Sequence, residues 1–166
     1  VTERSALYSE EAILQISIIA IGRMQRGPEQ SLVDEYLKRL PWKRDVIEID
    51  IKKPAATATE RKTKEAEKLL AAIPNGAAIV ALDENGKALK SRKFAEAIDG
   101  WQTLGYSNIA FIIGGADGLH ETVLAKADLK LAFGTLTWPH MMVRLMLAEQ
   151  IYRAWSINTG HPYHRD

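Results

Sequence analysis

Two glycine-bearing loops, one long helix and a short tail hold the residues whose types suit chemistry. The first loop is Gly114-Gly115-Ala116-Asp117-Gly118. Glycines there permit positive φ and let a ligand come close to the backbone. The same residues also suit a tight strand-to-helix turn. The spacing is not the G-x-G-x-x-G of dinucleotide-binding loops, and it lacks the Lys-Ser/Thr of a phosphate loop. The second loop, Gly134-Thr135-Leu136-Thr137-Trp138-Pro139-His140, offers a glycine, hydroxyls and main-chain groups that can grip an adenosyl or nucleotide group. It reads equally as a helix start, with Thr137 as N-cap and Pro139 in the first turn. In the helix beyond, Glu149 and Arg153 stand at i, i+4 in the favourable order. That spacing gives either a plain ion pair or an arginine left for substrate or cofactor. The tail, Gly160 to Asp166, gathers His161, Tyr163, His164, Arg165 and a carboxylate. Such groups stack on bases, bind phosphate or move protons, although a terminus without an aliphatic anchor also frays. Two histidines on a Pro-containing tail make a poor metal site, and no metal is expected.

Composition narrows the classes. Lys and Arg number 22 against 21 Asp and Glu, a formal charge of +1, so no general basic coat for nucleic acid is present. A polyanion partner must meet local patches: Lys52 and Lys53; Arg61, Lys62, Lys64 and Lys68; Lys87, Lys90, Arg92 and Lys93. The absence of cysteine removes disulfides, thiolate metal sites and a Cys nucleophile together. No Gly-x-Ser-x-Gly elbow, His-Glu-x-x-His or kinase set occurs. The apolar run Ile13–Ile21, interrupted by Gln15 and Ser17, is too short to span a bilayer, so no membrane partner is expected. It also lacks the flanks of an export signal, and the cytoplasm is the expected location.

The elements that must position these groups follow from periodicity. Ile13–Ile21 predicts a buried strand, Pro28–Leu40 a helix stopped by Pro41, and Val46–Ile51 a half-exposed strand. Thr59–Ala72 predicts a helix with a basic face, and Ala77–Leu82 a buried strand followed by a turn at Asp83–Gly86. Ser91 suits the cap of a helix running to about Leu104. Ile109–Ile113 predicts a third buried strand, His120–Ala127 a short helix and Leu129–Phe133 a last strand. The longest helix opens at Pro139 and ends near Asn158, before Gly160 and Pro162. Strands alternating with helices imply a single α/β domain over residues 13–166, its largely parallel sheet flanked by helices. Residues 1–12 read as a flexible N-terminal extension. Ligands in such sheets sit beyond the carboxyl ends of strands, which directs attention to Asp83–Gly86, Gly114–Gly118 and Gly134–Pro139. The last helix is apolar nearly all round, so one side must meet the sheet and the other a partner. A second copy of the same helix is the simplest partner, a homodimer.

Four segments taken in order carry a resemblance. They are Ile112-Ile113-Gly114-Gly115-Ala116-Asp117-Gly118-Leu119, Leu136-Thr137-Trp138-Pro139-His140, Ala148-Glu149-Gln150-Ile151-Tyr152-Arg153-Ala154-Trp155-Ser156 and His161-Pro162-Tyr163-His164-Arg165-Asp166. From about Leu14 to the C-terminus the chain resembles the ribosomal RNA large subunit methyltransferase H family, of the SPOUT class. The resemblance implies a C-terminal trefoil knot, a homodimer, S-adenosylmethionine as cofactor, and methylation of N3 of a pseudouridine in large-subunit RNA of the assembled ribosome. Carried over by position, Leu82, Gly115, Gly134, Thr135, Leu136, Thr137, Trp138 and Pro139 would meet the cofactor. Arg144, Arg153, Tyr163, His164 and Arg165 would lie against RNA. Glu149 also matches a family position near the active site, and His140 and His164 are the candidates for taking the N3 proton. A knotted methyltransferase acting on transfer RNA and a non-enzymatic ribosome-binding factor are the alternatives. Residues 1–10 precede the family's usual start, and the tail ends in Asp166 where many members carry Glu.

Overall fold

The β-branched run at the start forms β1 (Gln15–Ile21), and it lies at the inside of a sheet rather than its edge. The computed structural model describes residues 13–53 and 55–166, so the expected N-terminal extension lies outside the described residues. The elements follow as α1 (Pro28–Arg39), β2 (Lys43–Ile49), α2 (Ala58–Ala72), β3 (Ala78–Ala88), α3 (Ser91–Thr103), β4 (Asn108–Ile113), α4 (Glu121–Leu124), β5 (Leu129–Ala132) and α5 (His140–Thr159). They build one five-stranded sheet in the order β2-β1-β4-β3-β5, with every pairing parallel. Parallel strands covered on both faces need apolar side chains both ways. In β1, Ile16, Ile18 and Ala20 enter one core and Ile19 and Ile21 the other. The first core is closed by α1, α3 and α5 through Val33, Leu37, Phe94, Ile98, Leu147 and Ile151. The second is closed by α2 and α4 through Ala66, Leu69 and Val123. The α/β class read from the alternation of elements is the class observed.

Several boundaries differ, each for a physical reason. Asp83–Gly86 does not turn; it continues β3, whose register against β5 shifts between Leu82 and Lys87. A bulge of this kind absorbs the extra residues while pairing resumes beyond. Gly86 permits it, because a Cβ there would stand 2.7 Å from both the carbonyl carbon and the oxygen of Lys130. The second strand begins earlier than expected, at Lys43, because it pairs with β1 from Gln15 onward at the sheet edge. Ser91 is the first residue of α3 and not its cap; its hydroxyl donates to Gln150 Oε1 at 2.7 Å. Thr137 does not cap α5, whose N-cap is Pro139. Thr57 caps α2 by accepting from the Glu60 N–H at 3.1 Å. Gly160 closes α5 in the left-handed conformation. Among the described residues no helix is long and apolar enough to cross a membrane.

Candidate functional site

Register places the carboxyl ends of β4, β3 and β5 side by side, and a cleft of about 670 Å³ opens there. That volume falls in the range of small-molecule sites. The sequence-predicted residues Leu82, Gly115, Gly134, Leu136, Thr137 and Trp138 all line it, and so does His140. Thr135 and Pro139 belong to the same loop, are exposed, and lie outside the lining. The walls combine apolar side chains, among them Ile113 and Leu131, with main chain at the two glycine loops. Gly114 has no room for a side chain: a Cβ would meet the Gly118 carbonyl oxygen at 2.9 Å. Trp138 Nε1 donates to the Phe133 carbonyl at 2.9 Å, which folds the second loop back on its strand. Sequence reasoning did not place Lys62 or Val143 in the lining. Both come from other helices, so no local signal marks them.

The first turns of α5 fasten two strand ends. His140 Nε2 lies 2.8 Å from the Gly114 carbonyl. A carbonyl only accepts, so Nε2 carries the hydrogen, and in the neutral ring Nδ1 is the free acceptor. Burial holds the His140 pKa below the ordinary 6.5, Arg144 adds to that, and the Gly114 carbonyl opposes it. One turn on, Arg144 is 3% exposed. Its guanidinium donates to Glu48 Oε2 at 2.5 Å, to the Ile21 carbonyl at 3.1 Å and to the Gly22 carbonyl at 2.7 Å. Glu48 also accepts from the Met24 N–H at 2.6 Å. Burial alone would raise the Glu48 pKa, but Met24 and Arg144 hold it below the usual carboxylate range. The expected RNA contact at Arg144 is therefore corrected. The side chain is consumed inside the protein, tying α5 to the end of β1.

The other carried-over residues gather at the opposite end of α5. Arg153 donates to Glu149 Oε1 at 3.0 Å through Nε, and its NH1 lies 3.0 Å from His164 Nδ1. Its guanidinium sits 4.9 Å above the Tyr163 ring. The Tyr163 hydroxyl donates to Glu149 Oε1 at 2.9 Å and meets the Tyr36 hydroxyl at 3.2 Å. Burial, Tyr36 and Glu149 push the phenol well above its ordinary range, which keeps it a donor. Asp166 pairs with Arg92, while Arg165 is exposed. The tail thus docks on α1, α3 and α5. At 1.5 Å rise per residue, Arg153 stands roughly 20 Å along α5 from His140, so one chain does not bring His164 to its own cleft.

Residues 14–164 match the family model described as "Predicted SPOUT methyltransferase", and the chain belongs to the SPOUT methyltransferase family. A solved structure titled a probable methylase family protein from Haemophilus influenzae Rd KW20 shares the fold, with a TM-score of 0.50 and 10% identity over 92% of this chain and 70% of that one. Among curated relatives, the Ribosomal RNA large subunit methyltransferase H of Rhodospirillum centenum is 51% identical over 92% of this chain and 99% of its own. The proteins of the same name from Ruegeria sp. and Zymomonas mobilis are each 45% identical, over 92% of this chain and 99% of theirs.

Proposed function

We propose that the chain transfers a methyl group from S-adenosylmethionine to N3 of a pseudouridine in large-subunit ribosomal RNA. It acts in the cytoplasm on the assembled ribosome, as a homodimer with a C-terminal trefoil knot. The observation that carries this reading is the cleft at the ends of β3, β4 and β5, in a chain whose near full-length relatives carry that name. The residues present fit the cofactor. A 670 Å³ cleft with apolar walls suits an adenine, and main chain at Gly115 and Gly134 suits polar groups beside it. When bound, S-adenosylmethionine supplies an activated methyl group on a sulfonium.

The chain's own residues bind, orient and take a proton. Leu82, Leu136, Trp138 and the two glycine loops hold the cofactor. Proximity and alignment carry most of the acceleration when the electrophile is already activated. N3 must lose its proton, and His140 is neutral at pH 7 with Nδ1 open to accept it. Arg153, Tyr163, His164 and Arg165 form the RNA-facing group of the tail. Their distance along α5 from His140 is met by the second subunit, whose tail completes the cleft of the first. The dimer face is the half-buried side of α5 at Met142, Leu145 and Met146.

Methyl transfer from labelled S-adenosylmethionine to ribosomes tests the reading, with mapping of the modified nucleotide. Label on a large-subunit pseudouridine is expected. Label on purified transfer RNA instead would support the transfer RNA enzyme. Ribosome binding with no calorimetric signal for S-adenosylmethionine would support a binding factor. A monomer in sedimentation at micromolar concentration would refute the shared site.

A further inference from the structure

One buried ionisable group has no part in this chemistry. Glu65 lies on the inner side of α2, 6% exposed, on a helix whose outward residues include Arg61 and Lys68. Its Oε2 has no hydrogen-bond partner among the described residues. A lone carboxylate in such a place is costly, and an apolar residue would fill the space without that cost. What Glu65 faces is the first glycine loop. A Cβ on Gly115 would stand 2.7 Å from Glu65 Oε1 and 3.2 Å from its Cδ and Oε2. The Gly115 N–H draws the pKa of this carboxylate down, against the burial that raises it. One turn earlier on the same helix, Arg61 Nε holds Asp117 Oδ2 at 2.7 Å. Two side chains of α2 therefore grip the loop from behind, at Gly115 and at Asp117, while the loop also lines the cleft.

We infer that Glu65 is a positioning residue for the cofactor: its carboxylate fixes the Gly115 peptide and so sets the wall against which S-adenosylmethionine rests. The inference rests on the proposed cofactor. It gives the glycine at 115 a reason, because a Cβ there would push the Glu65 carboxylate away from the loop. It also gives a buried acid a reason to be kept where burial and the nearby Asp117 both push its pKa up, against Gly115, Arg61 and Lys62.

The test uses the full chain, calorimetry with S-adenosylmethionine and steady-state transfer to ribosomes. Glu65→Met takes the polar group away from behind the Gly115 peptide, and cofactor Kd is expected to rise about tenfold or more. The kcat at saturating cofactor and the KM for ribosomes should stay within about threefold of wild type. Glu65→Gln keeps an acceptor oxygen and should restore cofactor Kd to within about threefold. A thermal melt establishes folding. If Glu65→Met does not fold, Glu65→Asp, which withdraws the carboxylate by one methylene, is expected to show the same loss of affinity. A folded Met or Asp variant with wild-type cofactor affinity overturns the inference, as does a Gln variant as weak as Met. A wild-type chain that binds no S-adenosylmethionine overturns the cofactor reading and this inference with it; normal wild-type binding with unaffected variants overturns this inference alone.

Discussion

Replacing Arg144 by methionine keeps most of a buried stem and removes its guanidinium. Three hydrogen bonds go with it, to Glu48 Oε2, the Ile21 carbonyl and the Gly22 carbonyl. Bonds from a charged donor are worth ~1.5–3 kcal/mol each. Part of that sum is offset because the guanidinium no longer has to leave water, and its Nε has no partner among the described residues. The Glu48 side chain is 31% exposed, so the stranded carboxylate keeps some hydration. The net loss therefore sits somewhat below that of a fully buried broken pair, at ~2–4 kcal/mol. For a chain of this length that lowers Tm by about 5–15 °C. Thermal and urea denaturation of Arg144→Met, Glu48→Gln and the double variant measure it, and the cycle should return a coupling of about 1 kcal/mol or more. Below the melting range, the KM for ribosomes should be unchanged. A stability loss under about 1 kcal/mol with a raised ribosome KM would refute the reasoning and return Arg144 to the RNA surface.

Gly114→Ala should lower cofactor affinity by about tenfold or more, because its Cβ meets backbone at Gly118 that cannot yield without moving the loop; calorimetry reads it. Burial depresses the His140 pKa, so the accepting form is already present above pH 6.5 and is lost only as pH falls through the lowered value. The acid limb of kcat should therefore lie below pH 6.5 and vanish in His140→Gln, and a limb above 6.5 would exclude His140 as the base. The Glu48 pKa is depressed in the folded state, so its stabilisation is complete above the unfolded value of 4.5 and lost as pH falls through the folded one. Glu48→Gln should accordingly flatten acid unfolding in that window, measured by fluorescence. Tyr163→Phe removes the bonds to Glu149 and Tyr36, for a cost of ~0.5–1.5 kcal/mol in urea denaturation.

The parts legible in the sequence are those where local pattern and burial coincide. β-branched runs gave β1 and β4 because strands buried on both faces are filled almost wholly by apolar residues. The post-strand loops pointed to the cleft because sheet topology forces ligands to strand ends. Asp83–Gly86 carried every mark of a turn, yet pairing with β5 across a bulge overrode that chemistry. Arg144 matched a motif position, but whether an arginine faces solvent or Glu48 depends on a strand distant in the chain. Glu65 and Lys62 read as ordinary members of a charged helix. Only the packing of α2 against β1 and α4, with Glu65 turned to the loop after β4, separates the buried acid from its exposed neighbours.

The fastening of β1 by Arg144 also sets a schedule. Its bonds to Gly22 and Ile21 join residues 122 and 123 positions apart, so β1 is secured by α5. Contacts of such separation form late, because the closure entropy of the intervening chain comes first. During synthesis the strands and the first glycine loop emerge before the residues that lock them. Competence therefore waits for α5, and a chain cut short before it holds the strands and the lining loops without the bonds from His140 and Arg144 that fasten them.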